Sequence, residues 1–146
     1  VGAAEDADLI RDLGGRWTAE GRSLLYARSK VLLEARAAGL AHALDGVYMR
    51  LDDEAGLRED ALLARELGYS GKTAIHPRQV PVINEVFTPS EEEAAYYREM
   101  LAAHEAGERQ GRGAVNFRGK MIDAAMAAHA RRVLALAEAI EKGGRA

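Results

Sequence analysis

The chain has 146 residues, of which 48% are hydrophobic and 29% charged, enough for one globular domain with a buried core. Its net charge of −3 argues against a nucleic-acid or anionic-membrane binder, neither of which could exploit a basic field. The absence of cysteine excludes disulfides, thiolate zinc sites, iron–sulfur clusters and a Cys nucleophile, and it fits a cytoplasmic location, as does the lack of a membrane-length apolar run or a signal-peptide pattern.

The chain opens on Val1-Gly-Ala-Ala without a Met, as if entered in mid-domain, so a fragment or one half of a cut chain is expected. Acidic residues Glu5, Asp6 and Asp8 follow, then a loop holding Gly14-Gly15 and Trp17. From about Glu20 the pattern turns helical: Leu24, Leu25, Arg28, Val31, Leu32, Ala35 and Ala38 recur three and four apart, and Gly39 suits the C-cap. Leu44 to Leu51 is short, β-branched and aromatic, and bounded by turn formers, so it reads as a strand. Asp52 or Asp53 can cap a helix over Glu54–Leu67 that stops at Gly68. Lys72–His76 reads as another strand closed by Pro77, with a short helix over Arg78–Val86. With a first strand near the N-terminus, this alternation calls for a parallel sheet with helices outside it and with open edges.

The rest has a different grammar. Ser90 and Glu93 form a capping box for a helix whose buried stripe is Tyr97, Met100, Leu101 and His104. A Gly-rich loop over Gly107–Gly113 leads to a small hairpin between Ala114 and Ile122. The last helix, about Ala124–Ile140, offers Met126, Val133, Leu136 and Ile140 as core.

The string Gly71-Lys-Thr-Ala-Ile-His-Pro-Arg-Gln-Val80, with Asn84 and Phe87-Thr-Pro-Ser90 behind it, is distinctive. So are Leu25-Tyr-Ala-Arg-Ser-Lys30, Ala35-Arg-Ala-Ala-Gly39, Leu44-Asp-Gly-Val-Tyr48, Gly111-Arg-Gly-Ala114 and Phe117-Arg-Gly-Lys-Met-Ile-Asp123. In this order they resemble the citrate lyase β-subunit-like family of the HpcH/HpaI aldolase superfamily, with malyl-CoA and citramalyl-CoA lyases as relatives. The resemblance implies an α/β fold: the C-terminal part of a (β/α)8 TIM barrel over residues 1–87, contributing its last three βα units, and a helical C-terminal extension over 88–146. Such barrels need about 250 residues. The N-terminal half of the barrel is therefore an implied partner.

The resemblance also implies a reaction, the Mg2+-dependent cleavage of a carbon–carbon bond in a β-hydroxyacyl thioester carried on CoA or a carrier protein, giving a keto acid. Gly2-Ala3-Ala4-Glu5-Asp6 resembles the family's Gly-Ala-Glu-Asp-like motif, which makes Asp6 the metal ligand and places the backbone of Ala4 and Glu5 on the substrate carboxylate. The interval to Asp12-Leu-Gly14 is longer than the family's, which makes Asp8 a rival ligand; the bland alternative is that these carboxylates cap or solubilise a loop. Asp123 matches the Asp of the family's Gly-Lys-Met-Val/Ile-Asp motif, a general acid/base on an extension that closes over a neighbouring subunit. Asp123 is equally placed to cap the last helix, and Ala124-Ala125 replace the small residue and Pro usual there.

His76 ends a barrel strand, where it reads as a structural His bonded to nearby loops. Lys72 and Arg78 read as solvated charges that could also meet CoA phosphates, and Trp17, Tyr96 and Tyr97 as packing residues. The resemblance implies a homotrimer or hexamer, while charge and the lack of a membrane-length apolar run predict no nucleic-acid or membrane partner. Two competing readings are a non-catalytic fragment surviving as an oligomer, and a thioesterase or free keto-acid aldolase on the same barrel.

Overall fold

The computed structural model describes residues 8–143. The chain divides into two compact units, Val1–Phe87 and Thr88–Ala146, and is mixed α/β.

Among the described residues the first element is a short helix α1 (Asp8–Asp12), whose Ile10 is buried. The first expected strand, with Ala4, Glu5 and Asp6, lies outside the described residues. A 3-10 turn (Arg22–Leu24) runs into α2 (Leu25–Ala37), which buries Leu24, Arg28 and Leu32 at a spacing of four, while Leu25 and Val31 stay exposed. The stripe is thus narrower than the apolar pattern suggests, and a charged residue sits at its centre. Helix α3 (Glu54–Leu67) starts where Asp53 accepts the Gly56 N–H at 2.9 Å and ends at Gly68, whose φ of 102° suits a residue without a Cβ. Arg36 ties two helix ends together, donating to the carbonyls of Leu40 and Ala41 after α2 and of Gly68 after α3.

Between these helices lie two very short parallel strands, β1 (Leu44–Asp45) and β2 (Gly71–Lys72), paired Leu44 to Gly71 and Asp45 to Lys72. Alternation puts Leu44 and Gly71 on one face, where Leu44 is 63% exposed, and Asp45 and Lys72 on the other, which is buried. Both strands are shorter than the sequence suggests. Beyond Asp45 and Lys72 one more backbone bond runs from the Thr73 N–H to the Asp45 carbonyl at 3.1 Å, and a side chain then takes over: Gln79 Nε2 donates to the Tyr48 carbonyl at 2.8 Å, and Gln79 Oε1 accepts the Ile75 N–H at 2.9 Å. One glutamine, buried at the start of α4 (Gln79–Phe87), therefore substitutes for ladder bonds after both strands. Tyr48, Leu57, Val82 and Ile83 form one core cluster, with Trp17 and Phe87 packed against it; Leu32, Ala64 and Tyr69 form a second.

In the second unit Ser90 Oγ accepts the Glu93 N–H at 3.0 Å and starts α5 (Glu91–Glu108), as the capping box requires. The antiparallel hairpin of β3 (Ala114–Phe117) and β4 (Lys120–Asp123) turns at Arg118 and Gly119, with φ of 48° and 80°. Two successive positive φ values match the twist of a tight hairpin, at some strain for the arginine. Helix α6 (Ala124–Gly143) follows without a loop. Its buried residues are Ala127 and Ala130, whereas Met126, Leu136 and Ile140 are exposed, which corrects the expected core. Small side chains at the contact let α6 pack closely on α5, Val133 is half-buried, and Met126 borders a cavity it shares with Tyr97 and Met100 of α5. Met100, Ile122 and Ala130 make this unit's core, and His104 is buried with neither ring nitrogen hydrogen-bonded among the described residues. No described helix is long and apolar enough to cross a membrane.

Candidate functional site

In a parallel sheet the loops leaving the carboxyl ends of the strands are the usual place for chemistry. Here those loops are residues 46–53 and 73–78. They meet at Tyr48, which is buried, accepts from Gln79 and donates its hydroxyl to Asp53 Oδ2 at 2.6 Å. Trp17, from the loop after α1, leans on the Tyr48 ring at a centroid distance of 6.2 Å and carries the Arg50 guanidinium on its own ring at 4.7 Å. His76 Nδ1 accepts the Arg78 N–H at 3.1 Å, a bond within its own turn rather than to a neighbouring loop.

Burial, and then the hydrogen bond to Asp53, push the Tyr48 hydroxyl up to about 12, while the bonds from Tyr48 and the Gly56 amide hold Asp53 below the ordinary carboxylate range. The Tyr48 contribution to stability is intact below pH 10, the ordinary tyrosine value, and is lost as pH climbs toward about 12. The Asp53 contribution has the opposite sign: it is intact above the usual carboxylate range and fades as pH falls through it. Thermal melts of Tyr48→Phe against the parent chain from pH 8 to about 12 should show a shallower alkaline limb in the variant. Identical limbs would mean that the Tyr48–Asp53 bond does not carry the effect.

Beneath the sheet lies a closed set of four charges. Arg28 grips Asp45 through Nε at 3.2 Å and Nη2 at 2.7 Å, and reaches Asp60 Oδ1 through Nη1 at 2.9 Å. Lys72 Nζ bonds Asp45 Oδ2 at 2.8 Å and also pairs with Asp60. Lys72 is therefore a buried structural cation rather than a surface charge free to meet phosphates. Sequence reasoning missed the set, although Arg28 amid a buried helical stripe, with Asp45 and Lys72 inside strands, was its signal.

Of the residues proposed for catalysis and metal binding, Ala4, Glu5 and Asp6 lie outside the described residues. Asp8 is exposed in α1 and pairs with Arg11 at 2.5 Å. No three His, Asp or Glu side chains among the described residues are grouped to hold a metal ion. Asp123 stands exposed at the end of β4, where its Oδ1 accepts the Ala125 and Met126 N–H groups, each at 3.0 Å. Its capping role is thus in place. Both bonds use Oδ1, so Oδ2 lies outside them.

A family model described as HpcH/HpaI aldolase/citrate lyase matches residues 3–77, just over half of the chain. A citrate lyase subunit beta-like protein from Deinococcus radiodurans is 47% identical over 127 residues, covering 87% of this chain and 44% of that protein. The mitochondrial citramalyl-CoA lyase of Mus musculus is 37% identical over 135 residues, covering 92% of this chain and 40% of that protein. The chain thus spans less than half the length of either relative. A crystal structure of protein CitE from Mycobacterium tuberculosis, in complex with magnesium, acetoacetate and coenzyme A, superposes with a TM-score of 0.76 at 37% identity, covering 92% of this chain and 50% of that one. On the family match and these identities together, the chain belongs to the HpcH/HpaI aldolase/citrate lyase family.

Proposed function

We propose that the chain is the C-terminal half of a Mg2+-dependent carbon–carbon lyase acting on a β-hydroxyacyl thioester such as malyl-, citramalyl- or citryl-CoA. The observation that carries this reading is the family match over residues 3–77, which runs through the strand-end loops. Residues 1–87 are the last part of a (β/α)8 barrel and 88–146 its helical extension. The open sheet face, with Leu44 63% exposed, supports a missing complement, since parallel sheets are covered on both faces. That complement is the N-terminal half of the barrel, and the assembly is a trimer or hexamer.

In this reading Asp6 is the metal ligand contributed by the chain, and the backbone of Ala4 and Glu5 holds the substrate carboxylate. Bound Mg2+ supplies stabilisation of negative charge on the keto-acid oxygen. Cleavage removes the proton of the β-hydroxyl, breaks the adjacent carbon–carbon bond and leaves its electron pair on the thioester enolate. Asp123 delivers a proton to the enolate carbon. Its place at the end of β4, anchored through Oδ1 alone, supports that role.

The test combines native mass spectrometry, to identify any chain carrying the complement, with assays of the assembled sample on the three CoA thioesters. Keto-acid release that needs Mg2+ is expected, and Asp123→Asn should lower kcat at least about a hundredfold. Release of the free hydroxy acid and CoA would indicate a thioesterase instead. No turnover of any of the three by an assembled barrel would overturn the reading.

A further inference from the structure

We propose that α6 is a self-pairing helix: it packs antiparallel against α6 of a second copy of this chain, with Val133 near the two-fold axis. Within the second unit α6 buries Ala127 and Ala130. A second, apolar stripe runs beside that line. Met126, His129, Val133, Leu136 and Ile140 recur three and four residues apart, the spacing of a helix–helix seam. Val133 is half-buried and the other four are exposed. Alanines rim the stripe, Ala125 and Ala139 along one flank and Ala130 and Ala137 along the other, so a second helix can approach closely.

The surface is complementary to itself, which is why the occupant is a second copy. Met126 and Ile140 each lie seven residues from Val133, so antiparallel pairing about Val133 brings Ile140 of one copy opposite Met126 of the other, twice. Met126 borders a cavity of about 340 Å³ walled by Tyr96, Tyr97, Met100, Ala125 and His129. The Tyr97 hydroxyl and His129 Nε2 lie 3.2 Å apart in that wall. A hollow therefore sits near the start of α6 and a branched side chain, Ile140, near its end, and in the pair each copy fills the other's hollow. Charge selects the same orientation. The first half of α6 holds Arg131 and Arg132, a charge of +2, and the second holds Glu138, Glu141 and Lys142, a charge of −1. A parallel pair would set the arginines of the two copies side by side. The antiparallel pair sets them toward the other copy's acidic half and opposes the two helix dipoles. A two-fold contact has no place in a simple trimer, so of the two assemblies proposed above it selects a hexamer of two trimers. Only that corollary rests on the proposed function.

The chain has no cysteine, so an introduced one reports the pairing. Variants of the 146-residue chain are oxidised and the linked products identified by intact mass. A mixture of Met126→Cys and Ile140→Cys should link one variant to the other, at least about tenfold more than Ile140→Cys links to itself. In the antiparallel pair the two copies of position 140 stand about 21 Å apart along the helices, whereas a disulfide spans Cα distances below about 7 Å. Sedimentation of the parent chain should show a dimer or a larger even-numbered assembly. Leu136→Glu, at an exposed position and with an unchanged far-ultraviolet circular dichroism spectrum, should weaken that assembly at least about tenfold. Failure of the mixture to link, equal linking by Ile140→Cys alone, or an assembly that Leu136→Glu leaves intact would each overturn the pairing. A parent chain monomeric over about a hundredfold range of concentration would also overturn it and leave the stripe to the barrel's missing complement. Links between positions 126 and 140 without thioester cleavage by the assembled barrel would leave the pairing standing and remove the lyase reading.

Discussion

Asp45→Ala is expected to destabilise the first unit by about 3–5 kcal/mol, a large part of the stability of an ordinary domain. Asp45 is the hinge of the buried set: it takes two bonds from Arg28 and one from Lys72. Removing it leaves two cations facing the single carboxylate of Asp60, in a place where Arg28, at 3% exposed, and Lys72, at 7%, are both out of water. The net charge of the intact set is zero, and deletion makes it +1 at low dielectric. A second substitution separates this account from simple loss of packing. Asp45→Ala with Lys72→Met restores neutrality, keeps the Arg28–Asp60 pair and should recover part of the loss, whereas Lys72→Met alone leaves a net negative charge and should destabilise. Urea unfolding followed by Trp17 emission reads the first unit. A shift below about 1 kcal/mol for Asp45→Ala would mean that water reaches the set and that it is worth no more than a surface pair.

This quartet also shows where the sequence stops being legible. Short-range signals were readable: Asp53 and Gly68 bound α3, Ser90 with Glu93 opens α5, and the hairpin falls where Phe117-Arg-Gly-Lys120 predicts a turn. Each is set by backbone chemistry within a few residues. What was not readable depends on partners far away in sequence. The strands at Leu44 and Lys72 were read as long because their residues suit extended backbone, yet a strand continues only while a neighbour supplies its bonds, and Gln79 supplies them instead. Lys72 was read as solvated because lysine usually is; its burial requires Asp45 and Asp60, respectively 27 and 12 residues earlier in the chain. The α6 core was assigned to its largest apolar residues, whereas the tight α5 contact selects Ala127 and Ala130. Of the candidate site, Asp123 was legible as both a family acid and a helix cap, and the structure places its Oδ1 on the cap. The Trp17–Arg50 seat was not legible, since the residues that form it come from different loops.

Gly107→Ala is expected to act against helix propensity. Inside a helix, alanine in place of glycine ordinarily stabilises by about 0.5–1 kcal/mol. Gly107 lies in the last turn of α5 and is buried, and a Cβ built there falls far inside van der Waals contact with Val115 Cγ1 of β3. Val115 is β-branched and therefore stiff at χ1, so the methyl cannot simply rotate away. The hairpin must shift instead, and with it Ile122 of β4, which is 1% exposed in the core of the second unit. Overpacking of this kind costs about 1–3 kcal/mol, which exceeds the propensity gain and reverses the sign. Val115→Ala in the same chain removes the opposing methyl, so the double variant should recover most of the loss, with a coupling of at least about 1 kcal/mol between the two sites. The second unit has no tryptophan, so the measurement is amide hydrogen exchange of α5 and hairpin peptides by mass spectrometry. Faster exchange in Gly107→Ala, slowed again by Val115→Ala, is the expected pattern. Slower exchange in Gly107→Ala alone would mean that α5 and the hairpin do not pack at this distance, and that glycine is there for the turn that follows the helix rather than for the strand beside it.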